Sequence, residues 1–336
     1  MKLTQLAVAT LFVGMTFVAC EKDSKLPATI KKPAPAAATE KADDPISNLF
    51  RSYVAQNTVS TQFNALNGGE LVNSDGNVSV TIAGSSLTRM DGSLETGQVT
   101  ISMFVADQLA DNALGGMPTQ SAFGTQQGNG GGIVTAGSMR IEMFNAQGQP
   151  LQALNGGVVV SVATEEFNPQ MTLWMGTASV NQPRDNVWVR VPNPVTPGAN
   201  GQSYNFNWDR NATYNIDMAN LCPGLQLTDH KVTISASAAF NRTNTQIYVV
   251  LEPCTQQGQK IIFSLDMYNA TPRWWFANPN AKLPIGYQVT YVAITSYNNQ
   301  LYYGNATTIV TPSMTTNIPV MMPTTLAALT AYLNSL

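Results

Sequence analysis

Apolar and polar residues alternate in short runs along most of the chain between Ile46 and Leu336. In the clearest run, Val78, Val80 and Ile82 are apolar and the residues between them are polar. The same alternation recurs in residues 99–103, 139–143 and 232–236. A period of two residues predicts β-strands, and strands with one apolar and one polar face are typical of antiparallel sheets.

Turn residues separate these runs. Four pairs can adopt or tolerate a positive φ angle: Asp75-Gly76, Asp91-Gly92, Gln147-Gly148 and Asn298-Asn299. Many short strands joined by such turns predict an all-β fold built from antiparallel β-sandwiches. A chain of 336 residues is long enough for two domains of about 150 residues each.

The sequence predicts helices in two segments, residues 107–114 and 324–336. In the second, Leu326, Leu329, Leu333 and Leu336 fall on one helical face. We expect this C-terminal helix to cover the end of a sheet. A docking helix for a partner protein is the alternative.

The expected domain boundary lies where prolines accumulate, because proline cannot donate a sheet hydrogen bond. Residues 193–203 are predicted to be a linker between a first domain, 46–192, and a second domain, 204–312, which a tail, 313–336, follows. The glycine-rich stretch 115–132 is expected to be a long exposed loop, either functional or disordered.

The N-terminus has the pattern of an export signal. Lys2 precedes an apolar run, Leu6–Val18, which is shorter than the roughly 20 residues that a membrane-spanning helix needs. The run ends at Ala19-Cys20 and resembles the lipobox of bacterial lipoproteins, with Phe17 in place of the usual leucine. This resemblance implies removal of residues 1–19 and a diacylglycerol group on the Cys20 thiol. An ordinary signal-peptidase cut nearby, which leaves Cys20 as a plain thiol, is the alternative.

Residues 20–45 would then form a lipidated N-terminus and a spacer rich in Lys, Pro and Ala, a composition that cannot bury a core. Acyl chains such as palmitate would anchor the protein in the membrane. The Cys-Glu-Lys-Asp start at Cys20 is similar to the leader of surface-exposed Bacteroidetes lipoproteins, which implies the outer membrane. The alternative is that these charges only solvate a linker. The sequence therefore does not decide between the periplasmic face and the cell surface.

Composition narrows the function classes. Only 11% of the residues are charged, and the formal net charge is −3. These values exclude a disordered polyelectrolyte and a strongly basic nucleic-acid-binding protein. One histidine and three cysteines leave little material for zinc or Cys/His chemistry. We therefore predict no metal site, no cofactor and no nucleic-acid partner.

The two cysteines outside the signal region are predicted to pair. Cys222 and Cys254 belong to a chain with an export signal, and exported thiols are usually oxidised. A disulfide between them is the natural pairing. Two free buried thiols are the alternative.

Candidate catalytic and metal-binding residues are few. His230 has no second histidine near it, so a turn or surface position is expected rather than a metal ligand or base. Asp91, Ser93 and Glu95 offer alternating oxygens like part of a calcium loop, but a tight turn is expected. Glu165-Glu166 would point to opposite faces of a strand and are expected to be strand-end charges.

Aromatic residues mark the predicted ligand site. In the run Arg273-Trp274-Trp275-Phe276, consecutive strand residues must face opposite sides, so one tryptophan can join a core while the other stacks on a sugar ring or a peptide. Arg273, Asn278 and Asn280 could supply hydrogen bonds beside it. Coverage of both tryptophans is the alternative.

Several turn-rich motifs resemble known β-domains. Asn67-Gly68-Gly69-Glu70-Leu71, the strand 78–82, and residues 91–93 and 97–101 look like the opening of a ZU5-type β-domain. Residues 220–222, 284–287 and 301–304 are similar to a group of uncharacterised Bacteroidetes surface lipoproteins, in which an immunoglobulin-like β-domain follows a ZU5-like one. The resemblance implies fold and location rather than an activity.

Three functions follow as hypotheses. The favoured one is a lipid-anchored envelope protein with a structural, adhesive or protein-interaction role and no catalytic activity. The second is a glycan-binding module that uses an exposed tryptophan. The third is a hydrolase with an unrecognised carboxylate site, which would need titratable groups that converge in space.

Overall fold

The computed structural model describes residues 44–119, 133–154, 156–178, 186–219, 225–252, 260–265, 267–271, 273–276 and 282–336. This part of the chain is mostly β-structure, with several antiparallel sheets, few helices and a short C-terminal helix. The all-β expectation is confirmed at this level.

The described elements up to residue 219 are two helices and thirteen strands: α1 (Pro45–Gln56), β1 (Val59–Asn64), β2 (Gly69–Val72), β3 (Val78–Ile82), β4 (Leu87–Arg89), β5 (Gln98–Ala106), α2 (Leu109–Leu114), β6 (Ile133–Asn145), β7 (Leu151–Ala153), β8 (Val158–Ala163), β9 (Thr172–Ala178), β10 (Asn186–Arg190), β11 (Thr196–Pro197), β12 (Ser203–Asn207) and β13 (Ala212–Ala219). The later elements are β14 (Leu227–Thr228), β15 (His230–Ile234), β16 (Thr245–Leu251), β17 (Ile261–Ser264), β18 (Met267–Asn269), β19 (Trp274–Phe276), β20 (Leu283–Pro284), β21 (Gln288–Tyr297), β22 (Gln300–Ile309), β23 (Met314–Ile318), β24 (Met322–Thr324) and α3 (Leu326–Ser335).

The first core lies between two antiparallel sheets. A six-stranded sheet has the order β1-β5-β6-β13-β9-β10, and a five-stranded sheet has the order β11-β12-β8-β3-β2. The predicted alternation in β3 is confirmed, because Val78, Val80 and Ile82 are buried and contribute to this core. Ile101 and Ile141 contribute from the opposing sheet.

The second core lies between a five-stranded sheet, β17-β16-β21-β22-β24, and a four-stranded sheet, β18-β19-β15-β23. Val249 and Tyr291 enter it from the first of these sheets, and Val232 and Trp275 from the second. The pairing of β15 with β23 is parallel, which departs from the antiparallel expectation. β14 and β20 form a separate two-stranded sheet, and so do β4 and β7.

A third apolar cluster, which we call the middle layer, joins the two sheet pairs. Its buried members come from all three described helices and from strands of both pairs: Ile46, Phe50, Tyr53, Phe104, Ala106, Ala110, Ala113, Leu114, Met117, Trp174, Trp188, Tyr248, Val250, Ile262, Val292, Ile294, Leu329 and Leu333. In β16, Ile247 and Val249 face the second core, whereas Tyr248 and Val250 face the middle layer. This strand is therefore buried on both faces.

Hydrogen bonds reinforce the middle layer. Tyr248 Oη donates to the carbonyl oxygen of Ala113 at 2.7 Å. The Thr119 amide donates to the carbonyl oxygen of Ile262 at 2.7 Å, and the Ile262 amide donates to Thr119 Oγ1 at 2.8 Å. Met117 and Thr119 are buried, so the stretch predicted as an exposed loop begins inside the molecule. Residues 120–132 lie outside the described part.

The two predicted helices are confirmed as α2 and α3. The side chain of Thr325 caps α3, whose Leu329 and Leu333 are buried in the middle layer rather than over a sheet end. The sequence prediction missed α1, although Asp44 and Pro45 are a typical helix start: Asp44 Oδ1 accepts from the Ser47 amide at 2.8 Å. None of the described helices has the length and hydropathy of a membrane span.

The predicted turns occur where they were expected. Gly76, Gly92 and Gly148 have φ angles of 73°, 84° and 75°, and Asn298 and Asn299 have 50° and 59°. A positive φ angle has a low conformational energy for glycine and asparagine, so these turns close without backbone strain.

The proline-rich segment differs from the expected linker. Thr196 and Pro197 form β11, which pairs with β12 at the edge of the first five-stranded sheet. An edge strand tolerates proline because one side of it needs no hydrogen-bond donor. β12 then pairs with β8, and β13 pairs with β6 and β9. Residues 203–219 therefore belong with the first core.

We expect Leu333→Ala to lower the free energy of unfolding by about 2–5 kcal/mol, because this fully buried side chain would leave a cavity in the middle layer. Leu154→Ala is the matched control: the same truncation at a side chain that is 43% exposed should cost about 0.5 kcal/mol or less. Urea unfolding followed by circular dichroism measures both. Equal losses would contradict the packing of α3.

Candidate functional site

The outer side of the four-stranded sheet carries the predicted aromatic site, which we call the Trp274 face. Trp275 is only 1% exposed and lies in the second core, with its ring centroid 4.6 Å from that of Tyr268. Trp274, the next residue on β19, is half-buried and points the opposite way. Of the two tryptophans, only Trp274 is therefore available to a ligand.

A cation lies over the Trp274 ring. Lys231 Nζ is 4.3 Å from the ring centroid, within the range of a cation–π interaction. Lys231 lies on β15 opposite Phe276, which is half-buried and shares the outer side with Trp274. The Trp274 face thus combines two aromatic rings with a positive charge. A ligand that stacked on the covered side of Trp274 would have to displace Lys231.

The side chain of Arg273, which was predicted to bind a ligand, makes a hydrogen bond to a neighbouring loop. The residue has a φ angle of 66°, and its Nη1 donates to the carbonyl oxygen of Ser237 at 2.9 Å. This bond ties the turn before β19 to the loop after β15. Asn278 and Asn280, the other predicted hydrogen-bonding neighbours, lie outside the described residues.

A polar cleft of about 540 Å³ opens elsewhere, at one end of the first core. Thr135, Glu166, Phe167, Asn168 and Tyr204 are among the residues that line it. The rings of Phe167 and Tyr204 lie 5.2 Å apart, and the Asn168 amide donates to Tyr204 Oη at 3.0 Å. The volume is within the usual range of small-molecule sites. Sequence reasoning did not find this cleft, because its residues come from separate strands and loops.

A row of polar side chains is buried on the side of the six-stranded sheet that faces the middle layer. Asn215 and Asp217 on β13 and Ser138 on β6 have no exposed surface. In the pairing of these strands, Asn215 lies opposite Ser138 and Asp217 opposite Thr135. Burial raises the pKa of Asp217 well above its ordinary value, and the neighbouring Thr135 side chain opposes this rise. Burial therefore favours the neutral form of the Asp217 carboxyl group over its charged form.

The Asp91, Ser93 and Glu95 group forms a turn, as expected. Asp91 Oδ1 accepts hydrogen bonds from both the amide and the hydroxyl of Ser93. Glu95 turns inward, where Arg89 Nε donates to its Oε2 at 2.9 Å and the Gly97 amide donates to its Oε1 at 2.8 Å. Across the described residues, no three His, Cys, Asp or Glu side chains converge as metal ligands would.

His230 does not lie on a turn or on the surface, contrary to expectation. It is 3% exposed on β15, and its Nδ1 is 3.1 Å from Tyr291 Oη. The apolar alternation of β15 includes position 230, so the strand begins two residues before the predicted run and turns the imidazole inward. Glu165 and Glu166 are both exposed, beyond the end of β8, and Glu166 lines the cleft.

Two carboxyl groups do approach each other at the start of α2. Burial and the nearby charge of Asp107 raise the pKa of Asp111, while a hydrogen bond from Tyr53 opposes the rise. Tyr53 Oη donates to Asp111 Oδ1 at 2.6 Å, and Asn77 Nδ2 donates to Asp107 Oδ2 at 3.1 Å. These bonds attach α2 to α1 and to the β2–β3 turn. Neither carboxyl group lines the polar cleft.

Cys20, Cys222 and Cys254 lie outside the described residues, so lipidation and the disulfide stay predictions. No protein-family model matches the chain, and none of the curated proteins compared with it gives a significant match.

We expect Glu95→Gln to lower the free energy of unfolding at pH 7 by about 1–3 kcal/mol, because it removes a charged acceptor of several hydrogen bonds. The Arg89 hydrogen bond is the main reason that the pKa of Glu95 falls from 4.5 to about 2. The stabilisation is therefore complete above pH 4.5 and disappears as the pH falls towards 2.

Urea unfolding at a series of pH values measures this difference, with Glu70→Gln, at an exposed glutamate on β2, as the control. A difference that stays constant from pH 7 down to pH 2 would show that the Glu95 charge contributes nothing.

Proposed function

We propose that this chain is a lipid-anchored protein of the bacterial cell envelope, with a structural, adhesive or protein-interaction role and no catalytic activity. In this proposal a diacylglycerol group on Cys20 holds it in the outer membrane, on the periplasmic or the cell-surface face. The observation that supports it best is the middle layer, which makes two sheet pairs into one continuous packed body. Such a body presents sheet faces to partners at fixed positions.

We also propose that the two cores correspond to the two domains of the Bacteroidetes lipoproteins that the sequence resembles. The first core would be the ZU5-like sandwich, and the second core the immunoglobulin-like one. Because β13 pairs with β6, the boundary between them is moved from residues 193–203 to beyond residue 219. A Cys222–Cys254 disulfide would then link segments near the start of the second unit.

We expect metabolic labelling with a fatty-acid analogue to mark the wild-type chain and not Cys20→Ala, because the thiol is the only attachment point of the diacylglycerol. Cys222→Ala is the matched control and should keep the label. Gel fluorescence after click coupling is the measurement. Equal labelling of Cys20→Ala and wild type would contradict the anchor.

Glycan binding is the second candidate function, and the geometry of Trp274 favours it. The ring is half-buried on an outer sheet face, and β15 and β18 flank its strand on both sides. A ring held in this way loses little entropy when a sugar stacks on it. Thr233 and Asn317, joined by a 3.0 Å hydrogen bond on the same sheet, add polar groups.

We expect Trp274→Ala to weaken binding to any glycan that the wild-type chain recognises by roughly ten-fold, the size of one aromatic stacking contact. Thr315→Ala, at an exposed residue of the same sheet, is the control and should bind like wild type. Trp275→Ala is unsuitable because that ring is part of the core.

A glycan array, followed by titration of any ligand found, is the measurement. No binding by wild type, or binding that Trp274→Ala leaves unchanged, would contradict a glycan site at Trp274.

A further inference from the structure

Seven buried side-chain polar atoms have no hydrogen-bond partner among the described residues, and four of them lie close together: Ser138 Oγ, Asn215 Nδ2 and both carboxyl oxygens of Asp217. These four belong to the polar row on β6 and β13. Leaving such groups unpaired costs free energy, and a concentration of them at one place calls for a physical reason. A reaction between the side chains at that place is one such reason.

Thr135 supplies a nucleophile beside these atoms. Its Oγ1 lies 2.7 Å from Asn215 Oδ1, and the Gly137 amide donates to the same hydroxyl oxygen at 2.9 Å. A hydroxyl at this distance from an amide oxygen is roughly 3–4 Å from the amide carbon, close to the separation of reacting atoms in a near-attack conformer. A register shift between Ile216 and Asp217 brings Thr135 within reach of Asn215.

We propose that Thr135 and Asn215 react with each other to form an intramolecular ester crosslink between β6 and β13. Thr135 Oγ1 attacks the side-chain carbonyl carbon of Asn215, a C–O bond forms, the C–N bond breaks, and ammonia leaves. The proton of the hydroxyl passes through the Asp217 carboxyl group to the departing nitrogen. No oxidant, reductant or cofactor is consumed.

Each of these four unpaired atoms has a place in this reaction. Ser138 lies opposite Asn215, where its hydroxyl can donate to the oxyanion that develops on Oδ1. Asn215 Nδ2 is the leaving nitrogen, which no hydrogen bond holds back. Asp217 lies opposite Thr135, and its buried carboxyl group can give a proton to the nitrogen while it takes one from the hydroxyl. The cleft that Thr135 lines gives ammonia a route to solvent.

This inference goes beyond the proposed function and does not depend on it. The test is peptide mapping of the purified full-length chain by mass spectrometry, after reduction and trypsin digestion. Cleavage at arginine and lysine places Thr135 in the peptide 90–140 and Asn215 in the peptide 211–231. We expect one joined species, lighter than the sum of the two peptides by about 17 Da, the mass of ammonia, and hydroxylamine should cleave it.

Two variants should give the separate peptides: Thr135→Val, which removes the nucleophile, and Asp217→Asn, which removes the proton relay. Thr172→Val is the matched control, because Thr172 flanks Asp217 on the other side and should leave the link intact. Succinimide formation at Asn-Gly pairs such as Asn67-Gly68 also removes ammonia, but it joins no peptides.

Separate, unmodified peptides from the wild-type chain, both freshly purified and after prolonged incubation, would overturn the proposal whatever the variants do. A link that persists in Asp217→Asn would overturn the role of Asp217.

Discussion

Burial of the middle layer is the constraint on which the rest of the structure depends. The helices α1, α2 and α3 have 12, 6 and 10 residues, lengths at which isolated helices are marginal in water. Their stability must come from packing between the two large sheets. The sheets in turn need this cover, because Trp188, Tyr248 and Val292 lie on the faces turned away from the two cores. Each pair of sheets, together with the helices, therefore covers apolar side chains that the other pair would leave exposed.

The same layer determines where chemistry can occur. It covers part of one face of the six-stranded sheet and part of one face of the second five-stranded sheet, so a polar side chain beneath it is buried. Asn215 is such a residue, since it lies on the same side of the sheet as Trp174, its neighbour on β9. The four-stranded sheet is a layer further out, and its outer side carries the half-buried Trp274. The two proposed sites thus differ in their access to solvent for a structural reason.

Local pattern predicted much of the fold, and tertiary packing explains what it missed. The alternation of β3 and the φ-tolerant turns such as Asn298-Asn299 are decided within a few residues, so the sequence shows them. Whether a polar strand face meets water is decided by distant segments. The alternation around Asp217 looks like a solvated face, yet the middle layer buries it. The continuous apolar run Ile247–Leu251 was the available signal that some strands are covered on both sides.

The candidate sites also combine features that the local sequence predicts with features that only tertiary packing decides. That Trp274 and Trp275 face opposite ways follows from strand geometry alone, whereas which of them is buried does not. His230 was misplaced because the prediction considered only that no second histidine lies near it, whereas its position in the β15 alternation points inward. The Thr135–Asn215 contact joins residues 80 positions apart through a register shift. No pattern within a single strand reveals it.

The glycan site at Trp274 and the ester between β6 and β13 would lie differently with respect to a pulling force on the protein. The tether would enter the body at α1, whose Ile46 lies in the middle layer. A pull between a ligand on Trp274 and a lipid on Cys20 would pass through β19, the second core and the middle layer to α1. It would not cross the pairing of β6 with β13. An ester between those strands would therefore protect the first core against unfolding and proteolysis rather than transmit the pull, which makes it valuable whether or not the Trp274 face binds a glycan.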